Sequence, residues 1–336
     1  MRDRPVTGTY FMVKISRSQP LTNTLWVFFY FLTFAMIYFV SEHLLSLYIF
    51  GDQKYYIDFY YSVRGADLSE VPILQYSKTG SAEPFYGYLI WILSNSGLEK
   101  TPVIAAFNGL FGVLVAATIR RFNGNFALAV IIFTNYYFIV MITSAERLKF
   151  SYMVLCASIL VGGKVGRVLF ISSPLVHLQS AITIASVATG KLSSVIANTG
   201  RGPRGKVRII SGISVGFAFL FLAFQRFQER ILGKFESYSG LGEGIWSTAE
   251  MVVFFLASLI VARKKWETVL FFIPLIAATA VLGGSRVNMI GFVMLLFIAL
   301  KDRKAYHPIL VVLYLYFAYK SVGFISNILK YGVGYV

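Results

Sequence analysis

Apolar runs of near-membrane length recur along the whole chain, at 24–42, 102–119, 125–143, 150–163, 209–225, 248–262, 268–283, 287–300 and 308–323, with short basic clusters between them. A membrane helix needs about 20 mainly apolar residues, fewer where neighbouring helices shield it. Composition agrees: the chain is 57% hydrophobic and only 14% charged, with a mean hydropathy of +0.69, far more apolar residue than a water-facing surface can carry. The expected fold is all-α, a polytopic integral membrane protein of about 10–11 membrane helices. The whole of 1–336 reads as one transmembrane domain with a retained cytoplasmic tail over 1–23.

Two stretches are ambiguous. Residues 85–94 are apolar but short, and Ser94-Asn95-Ser96-Gly97 interrupts them, so they fit a short span, a re-entrant piece or an interfacial helix. Residues 168–189 are long enough to span, but Ser172-Ser173-Pro174 and His177 predict a break near mid-membrane. Lysine and arginine counts do not separate the arrangements in which these two stretches cross from those in which they do not. Either way the N-terminus is expected inside, the C-terminus outside, and 50–83 and 225–247 are outer loops. The net charge of +16 lies in clusters between apolar runs, which points to an anionic membrane leaflet and away from nucleic acid. The lone cysteine, Cys156, excludes a disulfide framework and reads as a packing residue.

The outer loop 50–83 interleaves acids with rings, in Gly51-Asp52, Tyr55-Tyr56 and Phe59, and closes on Glu83-Pro84-Phe85-Tyr86. Sugar C–H faces stack on aromatic rings and sugar hydroxyls bond to carboxylates, so this pattern fits a carbohydrate site. An aromatic belt with solvated acids fits it too. Arg147 and Arg286 stand at span edges, where a guanidinium fork suits a diphosphate or snorkels to headgroups. His177 lies inside an apolar run, as a packed histidine or a functional one. Arg226, Arg230 and Lys234 put three cations in an outer loop, against the charge rule, which suggests an anionic ligand there. The sequence holds no phosphate-binding glycine loop and no metal-ligand cluster, and His43, His177 and His307 are far apart. No cofactor or metal is therefore expected, and any donor should reach the site already activated and membrane-borne.

At these residues the chain resembles the EpsG/Wzy-type family of bacterial polysaccharide polymerases, which includes the O-antigen polymerases. The similar features are Gly51-Asp52 with Tyr55-Tyr56 and Phe59, then Glu83-Pro84-Phe85; Arg147 opening a mid-chain helix; His177 followed by small residues; Arg286 opening a late helix; and Arg230, Lys234 and Tyr238 before it. Two departures are the adjacency of Gly51 and Asp52, and Leu148 where the family has glutamine. The resemblance implies a GT-C-like glycosyltransferase of the bacterial inner membrane. It would move a growing glycan from undecaprenyl diphosphate onto an incoming lipid-linked repeat at the periplasmic face, without metal, alongside membrane lipid and a chain-length regulator. Arg147, Arg286, His177 and the Arg226, Arg230 and Lys234 loop would stabilise the departing diphosphate, with Tyr55, Tyr56, Phe59 and Tyr238 on the substrate. Glu83 or Asp52 would take the acceptor proton. It also favours Arg147 outside and a re-entrant 168–189. The rival readings are a flippase or secondary transporter, a ligase-type transferase with the same donor, and a channel or assembly subunit.

Overall fold

The computed structural model describes residues 20–199 and 244–335, and the regular elements among them are all α-helices. The chain divides into two compact units. The first carries α1 (Pro20–Leu47), α2 (Asp52–Ser62), α3 (Val71–Thr79), α4 (Pro84–Asn95), α5 (Lys100–Arg121), α6 (Phe126–Phe133), α7 (Tyr136–Thr143), α8 (Glu146–Val161), α9 (Gly163–Val176) and, late in sequence, α14 (Pro308–Tyr331). The second carries α10 (Ser180–Thr199), α11 (Gly244–Val261), α12 (Lys265–Leu282) and α13 (Gly284–Lys301).

Among the described residues, three helices, α1, α5 and α14, are long and apolar enough to cross a membrane, and α6 with α7 makes a fourth if the pair, bent by 62°, counts as one span. That is the architecture of a multi-pass membrane protein, with fewer spans among the described residues than the about 10–11 expected of the whole chain. The difference lies in helices such as α8 and α9, at 16 and 14 residues, which stop short of a bilayer's thickness. The bend between α6 and α7 has a local cause: Asn135 caps α7 by accepting from Tyr137 N at 3.0 Å, which starts a new helix instead of continuing the old one. The expected span 209–225 and the residues Arg226, Arg230, Lys234 and Tyr238 lie outside the described residues.

Within the first unit the helices have a common polarity. α1 and α5 run antiparallel, with Arg120 donating to Asn23 at one end and Gly109 pressed against Phe34, where an added Cβ would sit 2.9 Å from the backbone oxygen. Lys100, opening α5, donates to Glu146, opening α8, at 3.0 Å, while Gly162 beyond α8 lies beside Arg121. α5 and α8 are therefore parallel, with a Lys100/Glu146 end and an Arg121/Gly162 end. Gly162 and Gly163, at φ +66° and +59°, turn the chain sharply, and α9 runs back along α8 with Ser151 Oγ donating to Ser173 O at 3.3 Å. Pro174 does not end α9. It withholds the N–H that Phe170 O would take, and Ser173 Oγ supplies that bond at 2.9 Å, so the helix continues to Val176 and breaks at His177.

This polarity decides one ambiguity. Residues 85–94 fall in α4, and the chain leaves α1 and returns to α5 at the same, Lys100, end; α4 therefore does not cross. The expected outer loop 50–83 is itself largely helical, as α2 and α3. These helices are tied to α4 by Ser94 Oγ donating to Tyr60 O at 2.7 Å and Trp91 Nε1 to Ala66 O at 2.8 Å. The far end of α14 reaches the Lys100 end too, where Phe50 N donates to Gly332 O at 3.1 Å. α1 thus starts and α14 finishes at opposite ends, as an N-inside, C-outside chain requires. In a Cys156→Ser background, Ser77→Cys on α3 and Lys164→Cys on α9, both exposed, should label from opposite faces of sealed vesicles with a membrane-impermeant maleimide. Labelling from one face would overturn this polarity.

The second unit packs α13 on α11 through Phe254 and Phe292, with ring centroids 5.9 Å apart, and α12 on α11 through Phe255 and Phe272 at 5.6 Å. Asn288 Nδ2 donates to Glu250 Oε2 at 2.8 Å across the α11–α13 seam.

Candidate functional site

The break between α7 and α8, at Ser144 and Ala145, is the hub of the first unit's polar chemistry. Arg147 follows it in the first turn of α8 and donates through Nη1 to Glu83 Oε2 at 2.9 Å. His177, at the end of α9, lies with Nδ1 2.8 Å from the other carboxylate oxygen, Glu83 Oε1. Arg147 and His177, 64 and 94 positions from Glu83, thus meet at its carboxylate, and all three residues are buried. Glu83 is the residue before α4, held extended with Pro84 opening the helix, and its side chain turns away from the helix N-terminus toward α8 and α9. The His177 ring also lies with Nε2 3.1 Å from Gln179 Oε1, so as placed both ring nitrogens face oxygen, an arrangement that a protonated imidazole satisfies.

α3 completes the cage. Gln75 Nε2 donates to Glu83 Oε2 at 3.2 Å, and Arg147 Nη2 donates to Thr79 O at 3.4 Å. Gly87 on α4 makes room for Gln75: a Cβ there would sit 2.4 Å from the Gln75 amide oxygen. The Arg147 guanidinium also stands 5.9 Å from the Tyr56 ring centroid, and its buried Nε has no hydrogen-bond partner. Burial opposes the charge on Glu83, but the hydrogen bond from His177 and the Arg147 guanidinium outweigh it and hold the carboxyl well below the usual carboxylate range, at about 2. Removing one partner of such a buried pair leaves an uncompensated charge at about 3–5 kcal/mol.

On the other side of the hub, Ser144 Oγ donates to Asp52 Oδ2 at 3.3 Å, and Gln53 Nε2 donates to Thr143 O. Asp52 and Glu83, opposite ends of the expected outer loop, therefore both reach residues of the 144–147 segment. Asp52 is only part-buried.

Tyr55 is 54% exposed, but Tyr56 and Phe59 are buried and pack against Tyr86 with centroids 6.2 Å and 6.1 Å away. These two rings belong to the packing of α2 on α4, and Phe59, at 0% exposure, presents no face to a ligand. Arg286 stands half-buried in the first turn of α13, in the second unit.

A second buried network borders the first. Lys100 Nζ donates to Gln53 Oε1 at 2.8 Å and to Glu146 Oε2 at 3.0 Å, and Tyr86 Oη donates to Glu146 Oε1 at 2.7 Å. Lys149 Nζ donates to Asn108 Oδ1 at 2.6 Å, and Asn108 Nδ2 to Ile142 O at 2.7 Å. Consecutive residues Glu146 and Arg147 so hold both ends of the 83–100 segment. The signal that could have found this network is the density of charge in Glu146-Arg147-Leu148-Lys149 directly before an uncharged run. Among the described residues no group of acids, histidines and cysteines could hold a metal ion.

Comparison with protein-family models, with curated proteins and with solved structures finds no match to this chain.

Proposed function

We propose that the protein is a GT-C-like glycosyltransferase of the bacterial inner membrane that polymerises undecaprenyl-diphosphate-linked repeat units, with the Lys100/Glu146 end facing the periplasm. One observation carries the reading: Arg147, His177 and Glu83, each singled out by its own chemistry, converge on one buried cluster at a single end of the first unit. The Lys100 end also bears Asp52, and the opposite end bears Arg120, Arg121 and Lys164, the distribution expected of a cytoplasmic face.

In this reaction the bond from the glycan's anomeric carbon to the lipid diphosphate breaks, and a bond from that carbon to an acceptor hydroxyl oxygen forms. The diphosphate leaves with the electron pair, and the hydroxyl gives up a proton. Arg147, whose buried Nε is unpaired, and His177 supply the positive charge that the leaving diphosphate needs. Glu83 is occupied by donors from His177, Arg147 and Gln75 and acts as their counter-ion, holding both cations in place. The proton then falls to Asp52, which is half-buried and accepts from Ser144 Oγ at 3.3 Å at the edge of the same hub. The sequence resemblance gives Arg286 and the Arg226, Arg230 and Lys234 loop diphosphate roles of their own, and Tyr55 a glycan role. The chain-length regulator is a partner that acts on this product.

The test is reconstitution. Purified protein in nanodiscs, given undecaprenyl-diphosphate-linked repeats, should yield a ladder of lengths without nucleotide or added metal. Repeats that cross the bilayer and stay single would make the protein a flippase, and transfer only to lipid A core would make it a ligase.

A further inference from the structure

α2 and α4 lie side by side at the Lys100 end and differ in what they turn outward. Both begin at the hub, where Ser144 donates to Asp52 and Arg147 to Glu83. Both are tied at their other end, where Asn95 Nδ2 donates to Val63 O at 3.1 Å and Asn95 Oδ1 accepts from Gly65 N at 2.7 Å. Between these ends Tyr86 packs on Tyr56 and Phe59 of α2 and on Phe150 of α8, with ring centroids 6.2, 6.1 and 5.8 Å away. The exposed positions of α2 are Lys54, Tyr55, Asp58 and Tyr61, a face with both signs of charge that suits water. Those of α4 are Pro84, Phe85, Tyr88, Ile92 and Asn95. Asn95 is spent on the tie to 63–65, so α4 presents outward a stripe of Phe85, Tyr88 and Ile92, spaced by one helical turn and 54%, 37% and 56% exposed.

No charged residue occurs between Glu83 and Glu99, so α4 has nothing ionic to offer water on any face. A helix at a protein surface in water carries polar residues on its outer side, as the neighbouring α2 does. α4 does the opposite, in a chain whose spans α1 and α5 lead to it and away from it at the same end. There α1 runs out through Leu47, Ile49 and Phe50, each exposed, so the apolar surface of the spans extends as far as the turn into α2. A stripe of two rings and an aliphatic side chain, with a tyrosine at its centre, matches the boundary between headgroups and acyl chains. We propose that α4 is an interfacial helix whose Phe85, Tyr88 and Ile92 stripe rests in the acyl chains of the leaflet at the Lys100 end, while the outer face of α2 stays in water. Glu83, the residue before α4, then stands at headgroup depth. A lipid-borne diphosphate reaches Arg147 and His177 by sliding within that leaflet, a consequence that rests on the polymerase reading, whereas the lipid contact does not.

The test is spin labelling of Tyr88→Cys, Ile92→Cys and Asp58→Cys, one at a time, in full-length Cys156→Ser protein reconstituted into vesicles of phosphatidylethanolamine and phosphatidylglycerol. All three positions are exposed, so the label needs no space inside the fold. Oxygen concentrates among acyl chains and a nickel chelate stays in water, and power saturation reads how often each collides with the label. At 88 and 92 oxygen should relax the label more than nickel does, and at 58 the order should reverse. Nickel ahead of oxygen at 88 and 92 overturns the proposal by placing the stripe in water. Exclusion of both agents there overturns it as well, because the stripe would then be covered by a second copy or another protein. The ladder assay on wild type separates the two ideas: no ladder, with oxygen ahead at 88 and 92, removes the polymerase reading and keeps the lipid face.

Discussion

Arg147→Lys is expected to lower polymerisation about 100-fold or more while the protein stays folded in the membrane. Lysine keeps the positive charge, so Glu83 is not left as a lone buried anion and the about 3–5 kcal/mol cost of that state is avoided. What it loses is the fork. Arg147 reaches Glu83 through Nη1, Thr79 O through Nη2 and the Tyr56 face through its plane, and still has Nε to offer. A lysine ammonium in the same place meets Glu83 and has neither the planar face nor the reach for a second, separately directed bond. Losing one preorganised donor to a developing anion typically costs about 10²–10³ in kcat. The measurement is the rate of ladder formation in nanodiscs, with melting temperature and membrane yield as controls. Arg286→Lys at the start of α13 is expected to behave alike. Near-wild-type ladders from both lysine variants would reduce Arg147 to the buried counter-ion of Glu83 and Arg286 to a headgroup anchor.

The all-α class, the longest apolar helices and the charges that meet at Glu83 were legible in the sequence because the membrane makes each of them expensive to place by accident. A histidine and an arginine in apolar surroundings, such as His177 and Arg147, need partners, and Glu83 was the acid at the loop's return. What could not be read was which faces they share, since α9 had to continue through Pro174 to deliver His177, and Ser173's rescue of Phe170 O leaves no trace in composition. Tyr56 and Phe59 were misjudged for a different reason. In Tyr56, Phe59, Tyr60 and Val63 the rings recur with helical spacing, a buried stripe of α2, whereas a loop would have left them free for a ligand. In the sequence Lys100, Glu146 and Lys149 stand at the borders of apolar runs, yet each is buried, because the α7–α8 break lies inside the unit's polar end instead of at its surface.

Asp52→Asn and Glu83→Gln should both stop polymer growth, but in different ways. Asparagine at 52 keeps the shape and the bond from Ser144 and cannot take a proton, so kcat should fall about 10²–10⁴-fold with donor KM unchanged. At 83 the loss is that of a counter-ion. A glutamine amide presents one oxygen and one NH2 where His177, Arg147 and Gln75 all approach as donors, so one of them meets a donor and swings away. The unpaired cations left behind should hold the diphosphate more tightly, giving a lower donor KM together with a kcat reduced about 100-fold. Stability separates the two carboxylates as well. Because Glu83 titrates at about 2 in the folded protein against 4.5 ordinarily, its charged form contributes stability that is fully present above pH 4.5 and is lost as pH falls toward 2. Wild-type protein in detergent should therefore lose about 3 kcal/mol more than Glu83→Gln over that interval, while the two run parallel from neutral pH down to about 5. The kinetics give the deciding result for the base. An acidic limb in log kcat that survives in Glu83→Gln and vanishes in Asp52→Asn assigns the proton to Asp52; the opposite pattern returns that role to Glu83.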